Sequence, residues 1–332
     1  MAVIDAHVHL YPPEVNDDPA GWASKAGELN WAVMCARRRK DGRAVQGFPS
    51  VDGLLRTMDA AGVERAVLLG WYWERAETCA RQNRFYAECV RAFPDRLSGF
   101  ATVAVGWTSR DEGRGSSASE GGGCGSGVSE VLDEVRRAHG DGLCGLGELS
   151  PHAQGVAMDD PRWRALMELA GELGLPVNLH VTDLRARAYP GRVETPLVDF
   201  VALARAYPQV RFIWAHWGGR FWADGLPLPE NVWVDTAATP LLYGAGASAA
   251  GGAVPAIWSE GLAALGAERV LWGTDYPLEL YPRVDDAGRR KETMSGLLEE
   301  ARAALGPVMA ERDLTAVLGG NVRGLLDVKR GA

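Results

Sequence analysis

Eight short apolar runs recur along the chain, each closed by polar or turn-forming residues. They are Val3–Leu10, Ala66–Gly70, Ser98–Val105, Cys144–Leu149, Val177–Val181, Arg211–Trp217, Val232–Thr236 and Val270–Thr274. Each is apolar on consecutive positions, as a parallel strand covered on both faces should be. Between them the period lengthens to that of helices. Ser50–Gly62 starts on a capping serine and stops on glycine, and Trp73–Phe93 is ended by Pro94. Ser129–His139, Pro161–Leu173, Leu197–Tyr207 and Ala256–Leu265 fill later gaps, and Arg290–Leu305 follows the eighth run. Only the sixth gap, Gly218–Asn231, lacks a helical pattern. Strands alternating with helices predict a parallel α/β fold, and eight such units favour a (β/α)8 TIM barrel over an open doubly wound sheet. Strand count alone does not prove closure.

Two segments break the repeat. Residues 11–49 separate the first strand from its helix, and residues 106–128 are dominated by Gly, Ser and charge. Without them about 270 residues remain, close to the ~250 of one barrel. The expectation is therefore a single domain over 1–332 with insertions after strands 1 and 3, both rising from strand C-termini. The second insertion carries too little apolar surface to offset its ordering and reads as a mobile excursion.

Composition narrows the function classes. The 332 residues are 47% apolar and 23% charged, which excludes wholesale disorder. With 35 Lys and Arg against 43 Asp and Glu, the formal charge is −8. The one basic run, Arg37-Arg38-Arg39-Lys40, is short, so no footprint for nucleic acid exists. No apolar stretch approaches the ~18 residues of a membrane span. No secretory signal precedes Val3, and five cysteines without a C-x-x-C pair give neither a disulfide framework nor a thiolate zinc site. A reduced, cytoplasmic protein acting on a small-molecule substrate is the expectation.

Chemistry concentrates at predicted strand ends. His7 and His9 are two apart on the first strand, so their side chains share a face with Asp5. Glu148 ends the fourth strand, His180 the fifth, His216 the sixth and Asp275 the eighth. Four of only six histidines thus occupy the one face on which barrels build active sites. For a single histidine, a hydrogen-bonded core position is the better explanation. Four histidines with two carboxylates point to a divalent-metal site instead.

Further residues carry weaker expectations. Arg220 is placed to meet an anionic substrate or to remain a solvated loop cation. His152 is placed to line the pocket or to lie on a surface loop. Trp71, Trp107 and Trp217 are candidates for an apolar pocket wall, and Trp163 and Trp258 for helix packing. Trp22 and Trp31 would line a lid or an oligomer contact. His139 lies near a helix end and is assigned no chemistry.

The chain resembles the amidohydrolase superfamily, in the amidohydrolase-related (amidohydrolase 2) branch of metal-dependent hydrolases and decarboxylases. The resemblance runs through His7-Val8-His9, Leu54–Val63, His180, His216-Trp217-Gly218-Gly219, Trp272–Pro277 and Gly320–Leu326. It implies that His7, His9, His180 and Asp275 hold one divalent metal, zinc first, with manganese or iron as alternatives. It implies that Asp275 also accepts a proton from metal-bound water, and that His216 orients or deprotonates water or substrate. Glu148 stands where many binuclear members carry a carboxylated lysine. It becomes a ligand, bridging a second ion if two are bound, or a residue that contacts substrate. A glutamate at this position also occurs in nucleases of the superfamily, a reading that the acidic balance disfavours. The resemblance makes a homodimer an expectation as well. The leading function is hydrolysis of a small ester, lactone or amide. The alternatives are non-oxidative decarboxylation of an unsaturated or aromatic acid, and a non-catalytic ligand-binding barrel.

Overall fold

The computed structural model describes residues 2–39, 42–106, 125–186, 188–243, 255–280 and 293–327. Strands form inside all eight apolar runs and are shorter than the runs. They are β1 (Ile4–Val8), β2 (Arg65–Leu68), β3 (Leu97–Gly99), β4 (Leu146–Leu149), β5 (Val177–Leu179), β6 (Phe212–Trp214), β7 (Val232–Asp235) and β8 (Val270–Leu271). Every pair is parallel and consecutive, in two groups, β1-β2-β3 and β4-β5-β6-β7-β8.

Backbone hydrogen bonds join the two groups at both seams. Between β3 and β4, Ala101 bridges Leu146, and the Cys144 N–H donates to the Gly99 carbonyl at 2.8 Å. Between β8 and β1, Val8 bridges Tyr276. There Ala6 N donates to Trp272 O and Asp275 N to His7 O, each at 2.9 Å. The ring is closed, so the fold is a TIM barrel and not an open sheet.

Two apolar clusters hold the strands. One joins Ile4, Val67, Leu69, Phe100, Ile213 and Leu271 to Val322 and Leu325 of the last helix, Asn321–Asp327. The larger joins strand residues such as Leu68, Leu146, Val177 and Phe212 to Leu54, Trp163, Phe200 and Leu297 on the crossover helices. Those helices start and stop as their sequences dictate. Ser50 accepts from Gly53 N at the start of Val51–Ala61, and Gly62 closes it at φ 70°. Asp160 caps Pro161–Glu172 in the same way.

The sixth crossover holds only the turn Ala215–Gly218 and the 3-10 turn Phe221–Asp224, in line with the missing helical pattern. The third begins earlier than expected: its helix spans Gly125–Gly140 and takes in the end of the proposed second insertion. The mobility expected for that insertion falls mainly on residues 107–124, which lie outside the described residues, as does Trp107. Among the described residues, no helix is long and apolar enough to cross a membrane.

The first insertion builds a wall. Its helices Pro13–Asp17, Pro19–Ala26 and Leu29–Ala36 enclose a second core of Tyr11, Val15, Trp31, Trp71, Tyr72 and Trp73. Trp31 was expected at a lid or oligomer contact. It lies wholly buried, 4.3 Å from Tyr11 and 5.1 Å from Trp71 between ring centroids. Trp22 packs on the margin of this core, 5.5 Å from Trp73. Trp31→Ala is expected to destabilise the protein by about 3–5 kcal/mol, the usual cost of truncating a buried large aromatic. Denaturant unfolding measures this, and a loss under 1 kcal/mol would place Trp31 outside the load of the fold.

Candidate metal centre

Strand geometry brings His7, His9, Glu148, His180, His216 and Asp275 to one point at the C-terminal mouth of the barrel. Nε2 of His7 lies 3.0 Å from Nε2 of His9. Asp275 Oδ1 is 3.5 Å from His9 Nε2 and 3.8 Å from His7 Nε2. Glu148 Oε2 stands 3.7 and 3.9 Å from the same two nitrogens. On its other side Glu148 Oε1 accepts from His180 Nδ1 at 2.8 Å and from His216 Nε2 at 3.1 Å.

Each inward nitrogen is aimed by what its ring partner touches. His7 Nδ1 donates to Asp235 Oδ2 at 2.9 Å, and His9 Nδ1 donates to the Leu69 carbonyl at 2.8 Å. Both Nε2 atoms are therefore left as lone-pair donors, the arrangement typical of metal-binding histidines. Gly273 makes room for this. A Cβ there would sit 2.9 Å from Cβ of His7, so β8 can approach β1 only without a side chain. His216 and Asp275 adopt left-handed backbone conformations, φ 58° and 63°. Such strain persists only where the surroundings impose it. Here Asp235 Oδ1 accepts from His216 N at 3.0 Å, and His7 O accepts from Asp275 N.

The electrostatics ask for a cation. Burial opposes charge on every group. Even so, His180, His216 and His7 hold Glu148 well below the ordinary carboxylate range, and His9, His7 and His216 lower Asp275. Burial pulls His7 down, yet the Asp235, Glu148 and Asp275 carboxylates raise it to about 10. His216 is raised by Glu148 against its burial. Ionised carboxylates thus surround the paired His7 and His9 nitrogens in a dry pocket and hold a proton on His7, whose place a divalent cation would take. Donors on one tetrahedral ion at ~2.0–2.1 Å lie about 3.3 Å apart. The triad His7, His9 and Asp275 and the triad His7, Glu148 and His216 both bring one donor atom each within 4.8 Å of the others. These residues fit a divalent metal. His180 belongs to neither triad: its Nδ1 is turned to Glu148.

A cavity of about 590 Å³, part of it open to solvent, leads from these residues outward. Trp71 lines it, as the sequence predicts. Trp217 does not: it is fully buried, donates from Nε1 to Thr239 Oγ1 at 2.9 Å and packs against Trp258. Arg220 does not line it and pairs instead with the buried Asp183, which does, its guanidinium 5.2 Å from the Tyr243 ring. His152 borders a separate surface groove and faces Asp199 at 3.5 Å.

Sequence reading passed over Asp235, Arg37, Tyr72 and Tyr189. Asp235 carried the same signal as its neighbours, a carboxylate ending a buried apolar strand. Asp235→Asn keeps its size but removes the charge that fixes the His7 tautomer. Metal affinity is expected to fall about 10–100-fold, as read by competition with a chelating dye, and an unchanged affinity would remove Asp235 from the site.

Comparison with known proteins shows the family and the fold. The family model described as Amidohydrolase matches residues 4–328. A search of curated proteins gives no match. Among solved structures, 5-carboxyvanillate decarboxylase from Sphingomonas paucimobilis is 18% identical over 99% of each chain, with a TM-score of 0.64. A dihydroxybenzoic acid decarboxylase from Polaromonas sp. JS666, with bound manganese and 2-nitroresorcinol, is 17% identical over 99% of this chain and 98% of the other, TM-score 0.60. A probable 2-pyrone-4,6-dicarboxylic acid hydrolase from Acinetobacter baumannii is 15% identical over 98% and 99%, TM-score 0.58. At these identities the likeness shows the fold.

Proposed function

This chain belongs to the amidohydrolase family, a metal-dependent family of enzymes that includes hydrolases and decarboxylases, and on that premise we propose that it hydrolyses a small ester, lactone or amide. The observation that carries this reading is a carboxylate and an imidazole of opposite proton demand beside one set of metal donors. His7, His9 and Asp275 would hold the ion, with Glu148 as the adjacent fourth donor. Zinc is the first choice, manganese or iron the alternatives. A divalent ion held by these residues would supply Lewis acidity, activating water near neutral pH and polarising a carbonyl.

The chain's own groups divide the proton work. Asp275 is ionised and takes the proton from the attacking water. His216 places both ring nitrogens on acceptors, Nε2 on Glu148 Oε1 at 3.1 Å and Nδ1 on the Ala237 carbonyl at 3.3 Å. That pattern belongs to the imidazolium, so His216 is the proton donor for the leaving group. Burial of the whole set excludes bulk water and strengthens each contact.

Decarboxylation is the second reading, favoured by the flat cavity walls. The Trp71 and Tyr72 rings stack at 4.1 Å and, with Tyr11 and Tyr189, suit a planar acid. A panel of lactones, esters and aryl acids given to metal-loaded enzyme separates the two. Acid release without carbon dioxide is expected. Carbon dioxide from an aryl acid, with no hydrolysis, would replace the first reading by the second.

A further inference from the structure

Three connections meet at one buried carboxylate beside the cavity. Asp183 follows β5 by four residues, lines the cavity and has no exposed side-chain surface. Its Oδ1 accepts from Arg185 N at 2.8 Å, closing the turn that brings Val181 and Thr182 to the cavity wall. Its Oδ2 accepts twice, from Arg220 Nε at 2.5 Å and from the Tyr243 hydroxyl at 3.1 Å. Arg220 belongs to the segment after β6, and Tyr243 ends the short helix Thr239–Tyr243 after β7. The chain segments that leave β5, β6 and β7 are thus tied at one group.

Burial decides which tie matters. A second pair, Arg185 with Asp224, also joins the first two segments, but its side chains are 43% and 40% exposed and it contributes little. Asp183 is out of water, where a carboxylate is tolerated only while its oxygens keep their donors. Burial and Asp183 together push the Tyr243 phenol up, so it stays a donor near neutral pH. The Arg220 guanidinium lies over the Tyr243 ring, 5.2 Å from its centroid. What Tyr243 carries is the wall. Leu241 and Leu242 line the cavity from the same helix. Five residues are too few to hold a helix by their own bonds. Trp217 grips its first residue through Thr239 Oγ1, and Asp183 grips its last through Tyr243.

We propose that Asp183 is a positioning residue for the cavity: through Tyr243 it holds Leu241 and Leu242 in the wall, and so limits the apolar bulk that a ligand can carry. Arg220 keeps the carboxylate in place and does not meet the ligand. The class accepted is then a small carbonyl compound without a long apolar substituent. This rests on reading the cavity as the substrate pocket, and not on the choice between hydrolysis and decarboxylation.

The test uses metal-loaded protein and two ring ketones with no scissile bond, cyclohexanone and 4-pentylcyclohexanone, titrated against tryptophan fluorescence. Tyr243→Phe removes one hydroxyl and with it the grip on the wall. It should fold with wild-type metal content. Its affinity for the pentyl ketone relative to cyclohexanone should rise about 10-fold, the worth of about two newly buried methylenes. Hydrogen exchange at the Leu241 and Leu242 amides, which donate to Ala238 O at 2.9 and 3.1 Å, should quicken with it. Asp183→Asn should shift the ketone ratio in the same direction, and Arg220→Lys, which keeps a cation on the carboxylate, should stay close to wild type.

Both substitutions break one link, so the Asp183→Asn/Tyr243→Phe double variant should shift the ratio no further than Asp183→Asn alone. A purely structural Asp183 would instead lower the melting temperature and weaken both ketones alike. A wild type that binds neither ketone, a ratio within about 2-fold of wild type in Tyr243→Phe, or additive shifts in the double variant would each overturn the proposal. Failure of the hydrolysis reading is seen separately, as no acid release from the lactone and ester panel, and leaves the ketone ratios as predicted.

Discussion

His7→Ala/His9→Ala leaves purified protein without its metal and without turnover. The reason lies in how the two imidazoles are held. Their Nε2 atoms stand 3.0 Å apart and are aimed by Asp235 and the Leu69 carbonyl, so they form one preset pair. Removing both leaves carboxylates that a hydrated ion satisfies equally well in bulk solvent. Metal measured by elemental analysis should fall below about a tenth of an equivalent, and turnover by at least ~10⁴, since Lewis-acid and water-activating chemistry go together. Full metal content with unchanged activity would place the ion elsewhere. Circular dichroism accompanies the assay, because His7 is a wholly buried barrel residue.

Asp275→Asn produces the second large effect, and of a different kind. The amide keeps the shape and a ligating oxygen but removes the charge and most of the basicity. A metal-replete variant should lose roughly 10²–10⁴ in turnover, the contribution of a positioned acid–base group. Its left-handed backbone, φ 63°, suits asparagine, so folding is spared. Metal content is measured in the same sample, because a lost ligand would mimic a lost base. Near wild-type turnover at full metal content would remove the proton transfer from Asp275.

Much of this was legible from residue order because the physics is local. An apolar run buried on both faces marks a parallel strand, and all eight runs hold one. A strand end limits where the side chains at and just past it can go, so His7, His9, Glu148, His180, His216 and Asp275 were legible as one group, although His216 and Asp275 stand beyond β6 and β8 on left-handed backbone. Closure was not legible, because it depends on hydrogen bonds between residues far apart, such as Val8 with Tyr276. Loops were harder still. Trp217 and Arg220 follow His216 closely, but a run of left-handed residues, His216, Trp217, Gly218, Gly219 and Arg220, coils the chain away from the cavity. Arg37 shows the converse. Within a run of four basic residues nothing in the sequence marks which one is buried. That is decided by the helix ending at Ala36 and the bridges beyond it.

The centre itself is tested most directly by anomalous diffraction from metal-loaded crystals, recorded on both sides of the absorption edge of zinc. The account predicts a peak at the mouth of the barrel, within about 2.0–2.2 Å of His7 Nε2, His9 Nε2 and a carboxylate oxygen of Asp275. A fully loaded crystal with its peak away from these atoms, or with the two imidazoles bonded only to protein, would contradict it.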